Sequence, residues 1–128
     1  MLIETPSILI ADDDTAFRET LRQTLEPRGF QTVAAADGEE TLKILDRQPV
    51  HLLLLDMHMP RLTGLETVRR IRQFQPRLPC VLLSAALNEN IVQQAHLVDV
   101  FSVLAKPVSR FDITDTVDQV FRRIYGWP

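Results

Sequence analysis

Residues 51–60 read HLLLLDMHMP, an unbroken apolar run that ends on Asp56. Four consecutive leucines without alternation fit a strand covered on both faces, the usual setting of a parallel sheet. Folding gains nothing from a carboxylate that closes such a run, so Asp56 points to chemistry. Outward from it, four more short apolar runs repeat the pattern, at 7–11, 30–35, 80–83 and 100–104. Between the runs the apolar spacing changes to three and four, the helical period. Phe17, Leu21 and Leu25 mark a first helix, and Thr41, Leu42 and Leu45 a second. Leu65, Val68, Ile71 and Phe74 mark a third, and Ile91, Val92 and Ala95 a fourth. Ile113, Val117, Val120, Phe121 and Ile124 give the last and clearest stripe.

Five alternations of strand and helix predict an α/β fold: a (βα)5 parallel sheet with right-handed crossovers and helices on both faces. Punctuation agrees. Asp13 or Asp14 is placed to cap the first helix, and Gly29 follows its end. Pro49, Pro60, Pro76 and Pro79 all fall in loops. Ser109 followed by Asp112 resembles a capping box at the start of the last helix. With no repeat, linker or low-complexity stretch, one domain over residues 1–128 (core about 6–125) is expected, without an output domain.

Fourteen basic against seventeen acidic side chains give a net charge of −3, which argues against direct nucleic-acid binding. The longest apolar runs fall far short of the ~20 residues that span a bilayer. The start, MLIETPS, lacks the basic and apolar regions of a signal peptide. A cytoplasmic protein with no membrane contact is the expectation. The single cysteine, Cys80, lies inside an apolar run and reads as a small buried hydrophobe.

Parallel sheets bring the carboxyl ends of their strands to one edge, where ligands bind. Asp12 and Asp13 follow the first run, Asp56 the third, Ser84 the fourth, and Lys106-Pro107 the fifth. Alone, each has an ordinary explanation: a helix cap, a loop hydroxyl, a solvated lysine. Their conjunction at successive strand ends does not. Three crowded carboxylates repel one another, so either some are protonated or a cation sits among them. Magnesium suits such a set of hard oxygens, whereas the Cys/His spacing zinc requires is absent. Asp56 can act as a nucleophile toward phosphorus, forming an acyl phosphate. Magnesium, Lys106 and the Ser84 hydroxyl would then answer the charge on the phosphoryl oxygens. His58 reads two ways, as half of an Asp-x-His ligand pair or as a loop histidine facing solvent.

The stretches ILIADDD, AADGEETL (35–42), LLLLDMHMPRLTG (52–64), VLLSA (81–85) and LAKP (104–107) together resemble the receiver domain of two-component response regulators. The likeness is to a stand-alone receiver of the chemotaxis-regulator kind. It implies a flavodoxin-like three-layer sandwich with strand order 2-1-3-4-5. It implies that Asp56 accepts a phosphoryl group from a sensor histidine kinase or a histidine phosphotransfer protein, and that partner binding switches in response. By the same resemblance Asp13, Asp56 and the backbone carbonyl of His58 hold Mg2+, with Asp12 acting through water. Ser84 and Lys106 contact the phosphoryl oxygens, and Lys106-Pro107 is a cis peptide. Catalysis beyond its own phosphotransfer and hydrolysis is not implied. A homodimer through the fourth helix, fifth strand and fifth helix belongs to the same set of implications.

Departures from the family pattern bear on output. Val103 stands where an aromatic residue usually precedes the lysine, and Phe101, two residues earlier, is placed to share its face. Asp99-Val100 replaces the usual Gly-Ala. Ala86 offers no side chain to orient a hydrolytic water, so a persistent phosphoryl group is expected. Two other readings use some of the same residues: a haloacid-dehalogenase-type phosphatase built on Asp12-Asp13-Asp14, Ser84 and Lys106, and a degenerate receiver that serves as a constitutive docking module. A flavin carrier on this fold would need a phosphate-cradling loop that the sequence lacks.

Overall fold

A computed structural model describes residues 5–128. The start of MLIETPS, on which the leader expectation rests, lies outside them. Five strands alternate with five helices: β1 (Ser7–Ala11), α1 (Thr15–Leu25), β2 (Gln31–Ala35), α2 (Gly38–Arg47), β3 (Leu52–Asp56), α3 (Gly64–Ile71), β4 (Cys80–Ser84), α4 (Glu89–Leu97), β5 (Ser102–Ala105) and α5 (Arg110–Arg123). All pairings are parallel, in the order β2-β1-β3-β4-β5. Among the described residues no helix is long and apolar enough to cross a membrane.

The sheet separates two apolar layers because successive side chains of a strand point to opposite faces. Leu9, Leu53, Leu55, Cys80 and Leu82 face α2, α3 and α4. Ile8, Ile10, Leu52, Leu54, Val81 and Leu83 face α1 and α5, where Leu21, Leu25, Val117 and Phe121 close over them. The central strands β1, β3 and β4 are buried along their whole length, which explains their unbroken apolar sequence. Each such leucine contributes roughly 1.5–3 kcal/mol by leaving water. The edge strands β2 and β5 are only partly covered. Cys80 is fully buried, and burial pushes its thiol up to about 11, so it is inert packing.

Two helix stripes end sooner than their spacing suggests, and a third turns outward. Phe74 lies beyond α3 and Ile124 just beyond α5, each about half exposed, while Val92 lies inside α4 on its half-exposed side. At the α1 start it is Asp14, not Asp13, that caps, accepting from the Phe17 N–H at 3.2 Å. Gly29 follows a short 3-10 turn, Glu26–Arg28, in a left-handed conformation. Ser109 does accept from the Asp112 N–H at 3.0 Å, while the complete reciprocal box forms at Thr63 and Glu66. An aspartate is one methylene shorter than the glutamate that closes such a box. Below the sheet, the Arg72 guanidinium donates to the carbonyls of Gln75, Leu78, Val98 and Asp99, tying the end of α3 to the loop before β5.

Candidate functional site

The upper edge of the sheet collects the residues that the strand ends deliver. The Asp12 N–H donates to Ala35 O at 3.0 Å, the last tie to β2 before the chain turns into α1. Asp12 is 1% exposed. Its Oδ1 accepts from the Asp14 N–H at 2.9 Å and its Oδ2 from Lys106 Nζ at 2.7 Å. The same ammonium lies 3.3 Å from Asp56 Oδ1. Lys106 follows an edge strand, so its side chain must pass the ends of β4 and β3 to reach Asp12, a span its four-carbon stem permits. Asp12, Asp13 and Asp56 each bring one carboxylate oxygen within 4.8 Å of the others. Asp12 and Asp56 are buried; Asp13 is exposed and keeps the cluster open to solvent.

Burial raises the Asp56 carboxyl above its ordinary range, and the Asp12 charge pushes the same way; Lys106 and the His58 N–H oppose them. For Lys106, burial works against the charge, but the hydrogen bond and charge of Asp12, then those of Asp56, more than offset it. The ammonium is therefore held charged above its ordinary range. A cation anchored between two buried carboxylates leaves the trio one positive charge short of neutrality, which suits a further cation beside Asp13.

Ser84, the last residue of β4, is fully buried, and its Oγ accepts from the Ala86 N–H at 3.2 Å. Its carbonyl accepts from the Lys106 N–H at 2.9 Å, which puts the two residues at adjacent strand ends. The Lys106-Pro107 bond is cis. The His58 ring is not part of the carboxylate group, and the residue is exposed, so the solvent-facing reading fits and the Asp-x-His pair does not form. Phe101 does not share the face of Val103. It precedes β5, where strand alternation has not begun, and packs with the α1/α5 layer, while Val103 packs with the other. Both nevertheless border one open apolar groove of about 580 Å³, which Val92, Ala95, Leu97 and Val100 complete.

The loop after Asp56 is pinned at both ends. The Met57 N–H donates to Leu83 O at 2.7 Å, and the Gly64 N–H to Met57 O at 2.8 Å. Gly64 sits so close that a Cβ there would lie 2.6 Å from both the Asp56 carbonyl oxygen and Leu82 Cδ1. The Asp56 carbonyl belongs to a central strand and cannot retreat without moving it. Gly64→Ala is accordingly expected to destabilise the fold by about 1–3 kcal/mol, the range of overpacking in a tight core. A urea midpoint within error of wild type would show that the loop relaxes freely.

Two residues escaped the sequence reading. The Phe17 ring, read as core, lies with its centroid 4.3 Å from Lys106 Nζ. Arg18 Nη1 donates to the Asp12 carbonyl at 2.6 Å, fixing the β1–α1 turn from outside. Neither has a motif: Arg18 reaches the site by folding back over the β1–α1 turn, and Phe17 only because α1 converges with the end of β5.

Known proteins resemble this chain in sequence and in fold. A sequence model of the response regulator receiver domain matches residues 8–118. The chain is 32% identical to response regulator RR06 of Streptococcus pneumoniae, over 93% of its own length and 54% of that protein. It is 34% identical to the Regulator of RpoS of Escherichia coli, over 92% of its length and 34% of that protein. It thus spans about half or less of these curated relatives. Among solved structures, a response regulator receiver protein from Pseudomonas putida superposes with a TM-score of 0.87 at 27% identity, covering 92% of this chain and 99% of that one. Chemotaxis protein CheY4 of Vibrio cholerae gives 0.86 at 25% identity, covering 91% and 98%. Neither the phosphatase nor the flavin reading gains support from these relatives. Strand order, the acid cluster at the sheet edge and a family match across most of the chain lead to one conclusion: this chain belongs to the response regulator receiver domain family.

Proposed function

We propose that Asp56 accepts a phosphoryl group from a phosphohistidine on a sensor kinase or phosphotransfer protein. The observation that carries this reading is the buried Asp56 carboxylate with the Lys106 ammonium 3.3 Å away at an open strand edge. A carboxylate oxygen of Asp56 forms a bond to phosphorus as the donor's P–N bond breaks. The departing imidazole keeps the bonding pair and takes a proton from water. Negative charge then rests on the phosphoryl oxygens, where Lys106 and, after turning from the Ala86 N–H, the Ser84 hydroxyl can meet it. The all-oxygen donor set fits Mg2+, with Asp13, Asp56 and the His58 carbonyl as ligands and Asp12 acting through water. When bound, the ion supplies positive charge opposite Lys106. Ala86 presents no group to a hydrolytic water, which favours a persistent phosphoryl group. The groove between α4 and β5 is where a downstream protein, or a second copy, would read the state.

Intact-mass measurement of the protein with a small acyl phosphate and Mg2+ tests this. A gain of one phosphoryl group is expected, removed by hydroxylamine as an acyl phosphate requires and abolished when a chelator takes the Mg2+. No gain with Mg2+ present would leave a degenerate receiver that docks constitutively. A gain resistant to hydroxylamine would place the group on another residue type.

A further inference from the structure

The Lys106 ammonium has three close neighbours, and one of them is uncharged. Asp12 Oδ2 stands at 2.7 Å, Asp56 Oδ1 at 3.3 Å and the face of the Phe17 ring at 4.3 Å. An aromatic face carries partial negative charge and attracts an ammonium without accepting a proton or a metal. Phe17 is half-buried in the first turn of α1 and packs at the margin of the α1/α5 layer. It is therefore fixed by the core on one side and presents its ring to the site on the other. We propose that Phe17 is a positioning residue for phosphoryl transfer: its ring confines the Lys106 ammonium beside Asp12 and Asp56, where the phosphoryl oxygens arrive.

This inference rests on the proposed phosphoryl-acceptor reading of Asp56. Its physical need comes from the lysine stem. Lys106 crosses two strand ends on a chain of freely rotating methylenes, and its side chain keeps 21% of its surface open to water. Such a side chain readily swings its head into solvent. Asp12 and Asp56 hold the ammonium by charge, and the ring adds a third contact that limits its swing. A leucine would fill part of the same space without attracting the charge.

The experiment compares Phe17→Leu, Phe17→Met and Phe17→Tyr with wild type, using the initial rate of phosphoryl gain from the small acyl phosphate. A second readout is the proton shift of the Lys106 ε-methylene by NMR, which the ring current of a stacked aromatic displaces upfield. Phe17→Tyr should match wild type in both. Phe17→Leu and Phe17→Met should gain the phosphoryl group about threefold to tenfold more slowly, the worth of a partly desolvated cation–π contact. Both should lose the upfield shift, and their thermal midpoints should fall only by the few degrees that trimming a half-buried ring costs. Wild-type rates in the leucine and methionine variants, or an ε-methylene shift that ignores the ring, would overturn the inference. Absence of any gain in wild type would instead sink the acceptor reading, and the NMR comparison would still decide whether the ring holds the ammonium.

Discussion

Asp56→Asn is expected to gain no phosphoryl group under conditions that load wild type, and to resist urea better than wild type at neutral pH in metal-free buffer. The first effect follows from chemistry: an amide oxygen is a poor nucleophile toward phosphorus, and the neighbouring groups offer no substitute in the same place. Asp12 is committed to Lys106 and the Asp14 N–H, and Asp13, though exposed, brings its oxygen to the cluster as a ligand for the ion rather than into the place of Asp56. The second effect follows from electrostatics. Burial and the Asp12 charge both oppose an ionised Asp56, and the Lys106 ammonium is shared with Asp12 at the shorter distance. Asparagine removes the disfavoured charge and leaves the Asp12–Lys106 pair intact.

The pH dependence has a definite sign. Folding raises the Asp56 carboxyl above its ordinary value of 3.8, so the folded chain binds the proton more tightly than the unfolded one. Asp56 therefore contributes stability that is present below that value and is lost as pH rises through the folded one. The advantage of Asp56→Asn should be largest near neutrality and vanish in acid. Added Mg2+ should narrow the gap, because binding to the native carboxylates stabilises wild type by mass action. Urea melts at two pH values, with and without the ion, read all of this. A wild-type protein more stable than Asp56→Asn in metal-free neutral buffer would refute the electrostatic account.

The sheet was legible because its physics is local to each strand. HLLLLD and SILIAD are covered on both faces, so burial forced unbroken apolar sequence and the five runs stood out. The cluster was legible for a topological reason: parallel strands carry Asp12, Asp56, Ser84 and Lys106 to one edge whatever their sequence separation. What escaped depends on contacts between elements. Phe17 sits at a helix position whose spacing is that of core, and only the approach of Lys106 gives its ring a second duty. Phe101 misled because strand alternation was extended one residue before β5 begins. Phe74 and Ile124 continued a helical period past the point where the helices end, so an apolar residue at the correct interval was left in solvent. Spacing reports which face a residue would take, and the length of an element decides whether that face exists.

Lys106→Met separates the two duties of the ammonium, holding the fold and receiving charge. Methionine keeps the length and apolar bulk of the stem and removes the head. Asp12 and Asp56 then remain buried at the same edge with no cation between them, and the fold is expected to lose about 2 kcal/mol, below the full cost of breaking a buried pair because the lysine head is partly open to water. Folding raises the Lys106 value above 10.5, so its favourable contribution is fully present at neutral pH and is lost only as pH climbs through that raised value. The deficit of Lys106→Met should accordingly hold across the neutral range and shrink in acid, where the carboxylates are neutral in both proteins. Phosphoryl gain should fall by about a hundredfold, the usual loss when one charge-stabilising donor is removed from a transfer site. Without its cation Asp56 is also harder to ionise, so the residual rate should rise with pH. Mg2+ would supply charge to the carboxylates that Lys106 leaves, but not the donor hydrogens of the ammonium to the phosphoryl oxygens. It should recover much of the stability and little of the rate. Recovery of both by Mg2+ alone would mean that Lys106 serves only to neutralise the acids, and that the phosphoryl oxygens do not need it.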